Sequence, residues 1–289
     1  METGLRAAGA SIAAMLAFAA CSAATHSTGP SLSAPPSTPS STPSPTVDQL
    51  VVLGDSISTD TSYNCAGCTI FPDQLGHALS HALHRPVDVQ NLSVPGAAVK
   101  DLLHSVRTDP SFRYAIAGAE AILVNIGWND VAFGRIDDPC HVESHFPRVA
   151  WRQLTHACMD HALAQYRADL EQVLTTIGTL RDGKPTMLRL TTVYNAVIGD
   201  RVDPTWNSPA AIAPSTYVVR HMVQAQCAVV EQHGGRCADV YHVLNGKTGL
   251  QSAQHYLEPS DPPHLAAPGE DAVARTVIAL GFAPLTTTP

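Results

Sequence analysis

Charge is scarce in this chain. Asp, Glu, Lys and Arg make up 15% of 289 residues, and 25 acidic against 17 basic side chains leave a formal net charge of −8. Binding nucleic acid needs clustered Lys and Arg to neutralise phosphates, and adsorption to anionic lipid needs a polybasic patch. Neither is present, so neither partner is expected. Long apolar runs are missing too: Ala7 to Ala20, uncharged after Arg6, is only fourteen residues, too few to span a bilayer. No Gly-x-Gly-x-x-Gly follows the first candidate strand and no phosphate-loop lysine motif occurs, which leaves a nucleotide site unsupported. Cys-x-x-Cys occurs once, at Cys65-Ala66-Gly67-Cys68. Without a second copy it is half a zinc site at most, and it sits mid-loop, unlike a redox motif that follows a strand and opens a helix. No metal and no cofactor are expected. There is no internal repeat.

What is present begins with an address. A short apolar run behind one early arginine suits a secretory signal core. It ends at Phe18-Ala19-Ala20-Cys21, small residues before a cysteine, which resembles a bacterial lipobox with Cys21 as the lipidated mature N-terminus. Cleavage after Ala17-Phe18-Ala19 is the competing reading and gives a free secreted protein. Residues 1–21 are thus expected to be a signal peptide. Residues 22–46, mostly Ser, Thr, Pro and Ala, offer little to bury and form an extended linker. Residues 47–284 are long enough for one α/β domain, and 285–289 form a flexible tail. Membrane contact is expected only through an N-terminal lipid. Six further cysteines behind an export signal imply disulfides, and pairing of sequence neighbours predicts Cys65–Cys68, Cys140–Cys158 and Cys227–Cys237.

Within the domain, short apolar runs alternate with helical stretches. Strands are expected at 51–53, 87–92, 121–126, 186–193 and 236–240. Helices are expected at 71–83, around 99–106, at 163–180, 217–233 and 268–280. A long aperiodic loop from 131 to 155 and a Pro-rich loop from 200 to 214 interrupt them. Such alternation means a parallel sheet covered on both faces.

Chemistry gathers where the strands end. Leu50 to Leu53 stops at Gly54-Asp55-Ser56. Taken alone, that tripeptide is an ordinary turn and helix cap. Gly96, Asn129 and the pair Asp261/His264 also follow structural units, and in a parallel sheet the carboxyl ends of strands share one edge. A serine hydroxyl needs a base to take its proton, and His264 can be that base. Asp261, three residues earlier, can hold the other imidazole nitrogen. The N–H groups of Ser56 and Gly96 and the amide of Asn129 can donate to an oxyanion. Asp55 and Asp130 are read as structural residues that order turns. His156 and His161, five apart, do not share a helix face and are read as surface residues.

The ordered set Gly54-Asp55-Ser56-Ile57-Ser58, Gly96, Gly127-x-Asn129-Asp130 and Asp261-x-x-His264 resembles the SGNH, or GDSL, family of serine esterases and lipases, over roughly residues 50 to 282. The resemblance implies a three-layer α/β/α sandwich, flavodoxin-like, with about five parallel strands. It also implies hydrolysis through an acyl-enzyme without metal, with Ser56 as nucleophile, His264 as base and Asp261 as orienting acid. Ser56, Gly96 and Asn129 correspond to the family's oxyanion donors. The expected partner is a small-molecule, lipid or glycan ester, and the expected protein is an exported monomer, secreted or a cell-surface lipoprotein. An acetyl esterase acting on cell-wall or plant polysaccharide is the alternative. Phe133, Phe146, Trp151 and Trp206 suit a sugar platform or an acyl wall equally. A non-catalytic binding protein on this scaffold would require a broken catalytic set, whereas all four blocks are intact.

Overall fold

The computed structural model describes residues 48–59, 64–130, 140, 154–200, 207–261 and 263–286. The proposed signal peptide with Cys21, the 22–46 linker, most of the 131–155 loop and the aromatics Phe133, Phe146, Trp151 and Trp206 lie outside these residues.

Five strands form one parallel sheet: β1 (Asp48–Gly54), β2 (Val87–Asn91), β3 (Ala121–Asn125), β4 (Met187–Thr191) and β5 (Arg236–Ala238), in the order β2-β1-β3-β4-β5. The central strands read as continuous apolar runs because both faces are covered. Leu50, Val51, Val52 and Leu53 are all fully buried, as are Ala121 to Val124. Burying each large aliphatic side chain of this kind stabilises the fold by about 1.5–3 kcal/mol. The helices are α1 (Phe71–Leu83), α2 (Val99–Thr108), α3 (Pro110–Gly118), α4 (His156–Arg181), α5 (Pro209–Gln232), α6 (Val240–Leu244) and α7 (Ala267–Ile278). Helices α2 to α5 pack on one another on one side of the sheet, and α1, α6 and α7 on the other. This is the expected three-layer, flavodoxin-like sandwich. Among the described residues, no helix is long and apolar enough to cross a membrane.

The structure differs from the sequence reading in several places. Helix α5 starts at Pro209, within the expected 200–214 loop. Pro209 stands in the first turn, where a missing N–H costs nothing. Pro214 lies inside the helix, and there it removes one backbone hydrogen bond without ending it. Helix α3 was not expected; Asp109 caps it through Ser111 N and Pro110 opens it. Helix α4 starts seven residues earlier than its apolar periodicity suggested, because Thr155 caps it by accepting from Cys158 N. The short α6 was also unforeseen; Asp239 caps it through His242 N. The last helix opens at Ala267, so Pro268 is its second residue. The sulfurs of Cys65 and Cys68, Cys140 and Cys158, and Cys227 and Cys237 are bonded.

With strand order 2-1-3-4-5, the connections leave β1 and β3 in opposite directions across the sheet. A crevice opens at that point, beyond the carboxyl ends of the strands.

Candidate active site

Gly54 ends β1 against the end of β3. A Cβ there would meet Asn125 O and Ser58 Oγ, each at 2.4 Å, so no larger residue fits. The chain then turns through a single 3-10 turn, Ser56–Ser58. Asp55 caps that turn: its carboxylate accepts from Ile57 N at 3.0 Å and from Trp128 N at 3.3 Å. Complete burial pushes the Asp55 carboxyl up to about 7, against the pull of these N–H groups. Asp55 thus ties the turn after β1 to the turn after β3. Asp130 acts similarly one loop away, its carboxylate accepting from Val99 N at the start of α2.

His264 reaches the same crevice from the far end of the chain. Its loop is closed by an isolated antiparallel bridge between Leu257 and Leu265, by Glu258 N donating to His264 O at 2.8 Å, and by His264 N donating to Asp261 O at 3.0 Å. From the sheet side, Tyr194 donates its hydroxyl to Pro263 O at 2.5 Å. The result places His264 Nε2 3.0 Å from Ser56 Oγ, a hydrogen bond between residues 208 apart in sequence. The other ring nitrogen, Nδ1, lies 3.2 Å from the Asp261 carboxylate and 3.2 Å from the Asp261 carbonyl oxygen. Both are acceptors, so Nδ1 carries the proton and Nε2 is left to accept from the serine hydroxyl. The Asp261 side chain is 55% exposed, whereas that of His264 is 12% exposed. Water therefore screens the carboxylate, and the backbone carbonyl shares the orienting role.

The candidate oxyanion donors Gly96 and Asn129 follow β2 and β3, the two neighbours of β1 in the sheet. Gly96 has φ +77°, a left-handed conformation that favours glycine, and a Cβ there would meet nothing within 4 Å. Asn129 donates one amide hydrogen to Ala97 O at 3.0 Å, which joins the turn after β3 to the loop that carries Gly96. Its second amide hydrogen can serve another acceptor. A serine hydroxyl bonded to an imidazole is the pairing that nucleophilic acyl transfer requires.

A model of the GDSL-like Lipase/Acylhydrolase family matches residues 52–270, which span the Ser56 turn, Gly96, Asn129 and the Asp261/His264 loop. The chain belongs to that family. Membership makes it a carboxylic ester hydrolase. No curated protein matches it. Among solved structures, the lipase Lip_vut3 from a goat rumen metagenome aligns at TM-score 0.60 and 15% identity, covering 83% of this chain and all of that one. A lipase/acylhydrolase from Enterococcus faecalis aligns at 0.55 and 16%, covering 84% and 100%. A variant of an acetyl-xylooligosaccharide esterase from Geobacillus aligns at 0.54 and 16%, covering 84% and 97%. At these identities the likeness is one of fold.

Ser56, Gly96 and Asn129 follow β1, β2 and β3, and Asp261 and His264 lie on the loop that brings the imidazole to Ser56. His156 and His161 are exposed on α4. Among the described residues, no group of three or more His, Cys, Asp or Glu side chains could hold a metal ion. Sequence reasoning missed Tyr194, which it noted only as the end of a strand, and Asn64, which bonds the Ser56 carbonyl and the N–H of Leu265, the residue after His264. Neither carries a local signal beyond its place next to a strand end or a cysteine.

Proposed function

We propose that this family member cleaves carboxylic esters through an acyl-enzyme on Ser56. The Ser56 Oγ–His264 Nε2 hydrogen bond of 3.0 Å carries the reading. His264 Nε2 takes the Ser56 proton as Oγ bonds to the ester carbonyl carbon. The N–H groups of Ser56 and Gly96 and the Asn129 amide receive the resulting oxyanion. The C–O bond to the alcohol breaks, and the alcohol leaves with the proton from His264. Water, deprotonated by His264, then attacks the acyl carbon, the bond to Oγ breaks as Oγ takes that proton back from His264, and the acid is released. Asp261 holds the imidazole and stabilises its charged form.

An acetyl ester on a polysaccharide is the second reading, supported by the fold's likeness to an acetyl-xylooligosaccharide esterase. Three bonded cysteine pairs and the Ala7–Ala20 run support export, as a secreted protein or a lipoprotein held through Cys21.

The test is hydrolysis of p-nitrophenyl acetate together with mass analysis after fluorophosphonate labelling. Ser56→Ala and His264→Ala are each expected to lower kcat by about 10⁴-fold or more, and Ser56→Ala to abolish the adduct. Undiminished turnover in folded Ser56→Ala would refute the mechanism. A comparison of acyl chain lengths with acetylated glycans separates the two substrate classes.

A further inference from the structure

Asn64 belongs to none of the sequence blocks, yet its side chain lies between the two reacting groups' supports. Its amide nitrogen Nδ2 donates towards three carbonyl oxygens of the serine turn: Ser56 O at 3.0 Å, Ile57 O at 3.4 Å and Thr59 O at 2.7 Å. Its Oδ1 accepts from Leu265 N, the residue after His264, at 3.2 Å. The main chain repeats the link one residue on, where Cys65 N donates to Leu265 O at 3.1 Å. Asn64 is 2% exposed, so water does not compete for these bonds. A side chain of this length that donates on one side and accepts on the other is an amide. Aspartate in its place would set a second oxygen against three carbonyls.

These contacts complete a bracket around His264. Tyr194 holds the carbonyl of the residue before it, and Asn64 holds the N–H of the residue after it. Of the two, Asn64 also grips the serine's own carbonyl. The Cys65–Cys68 bond closes the loop immediately after Asn64.

We propose that Asn64 is a positioning residue that sets the separation and alignment of Ser56 Oγ and His264 Nε2. It does so by bridging the Ser56 carbonyl to the Leu265 N–H. The inference rests on the acid–base roles proposed above for Ser56 and His264. Asn64 acts through the backbone on each side of the reacting pair. Its loss therefore changes the rate of the chemical step rather than the binding of the ester. A displacement of about 1 Å between reacting groups costs on the order of 100-fold.

The test uses Asn64→Ala and Asn64→Asp in the full chain, with kcat and KM for p-nitrophenyl acetate measured well below each variant's Tm and normalised to the folded fraction from circular dichroism. Expected are a fall in kcat of about 30- to 100-fold, a KM within about threefold of wild type, and fluorophosphonate labelling slowed in proportion to kcat. If Asn64→Ala does not fold, the isosteric Asn64→Asp carries the same measurements. The inference is overturned if the folded variants keep wild-type kcat, if KM alone changes, or if lost activity matches lost folded protein in both variants. An active wild type with unaffected Asn64 variants refutes this inference alone. A wild type inert to both ester and probe refutes the underlying mechanism and this inference with it.

Discussion

Glu270 should make the fold lose stability as the pH rises through neutrality. It sits in the first turn of α7, wholly buried, with Oε2 accepting from Phe71 N at 2.7 Å and Oε1 without a hydrogen-bond partner among the described residues. Burial pushes its carboxyl up from 4.5 to about 8; the Phe71 N–H pulls it down, and the nearby Asp271 and Asp73 push it further up. An acid with a higher pKa in the folded state holds a proton there that the unfolded chain has already released. Its contribution is fully present below the unfolded value, declines as pH rises from about 4.5 to about 8, and is lost above that. At about 1.4 kcal/mol per pH unit, this window is worth on the order of 5 kcal/mol. Asp55 acts with the same sign between 3.8 and about 7, so the wild-type profile alone does not isolate Glu270. The difference from Glu270→Gln does. Glutamine keeps an acceptor for Phe71 N and adds no charge. Urea unfolding at about pH 5 and about pH 9 should show the variant gaining on wild type by several kcal/mol between the two. A difference that stays constant across that range would refute the reasoning.

Two further substitutions test the division of labour within the site. Asp261→Asn should lower kcat only about tenfold, because the carboxylate is screened and the Asp261 carbonyl still accepts from Nδ1; a loss of about 10⁴-fold would make the carboxylate the orienting group. Asn129→Ala should lower kcat by about 10²- to 10³-fold with little change in KM, the signature of a donor used only in the transition state. Equal losses in kcat and affinity would argue for a role in binding.

Much of this architecture could be read from the chain because its signals are local. Leu50–Leu53 and Ala121–Val124 are continuous apolar runs, and Ser56, Gly96 and Asn129 each stand just past a strand. His264 was legible for a different reason: Asp261 precedes it at a recognisable spacing. Asn64, Tyr194 and Glu270 were not legible. Each does its work through at least one hydrogen bond to a residue remote in sequence, and an isolated polar residue carries no periodicity to mark it. Helix α5 was hidden by Pro209 and Pro214, which favour loops by composition but are tolerated here, the first at no cost and the second at the loss of one backbone bond.

All five strands are complete by Ala238, yet the imidazole arrives at position 264. The ties that seat it span 199 to 208 residues: Phe71 to Glu270, Asn64 to Leu265 and Ser56 to His264. Closures of that range are formed late, since the entropy of the intervening chain opposes them until the rest is in place. A polypeptide can therefore finish its sheet and still be chemically silent, with hydrolytic competence marking the docking of its final segment.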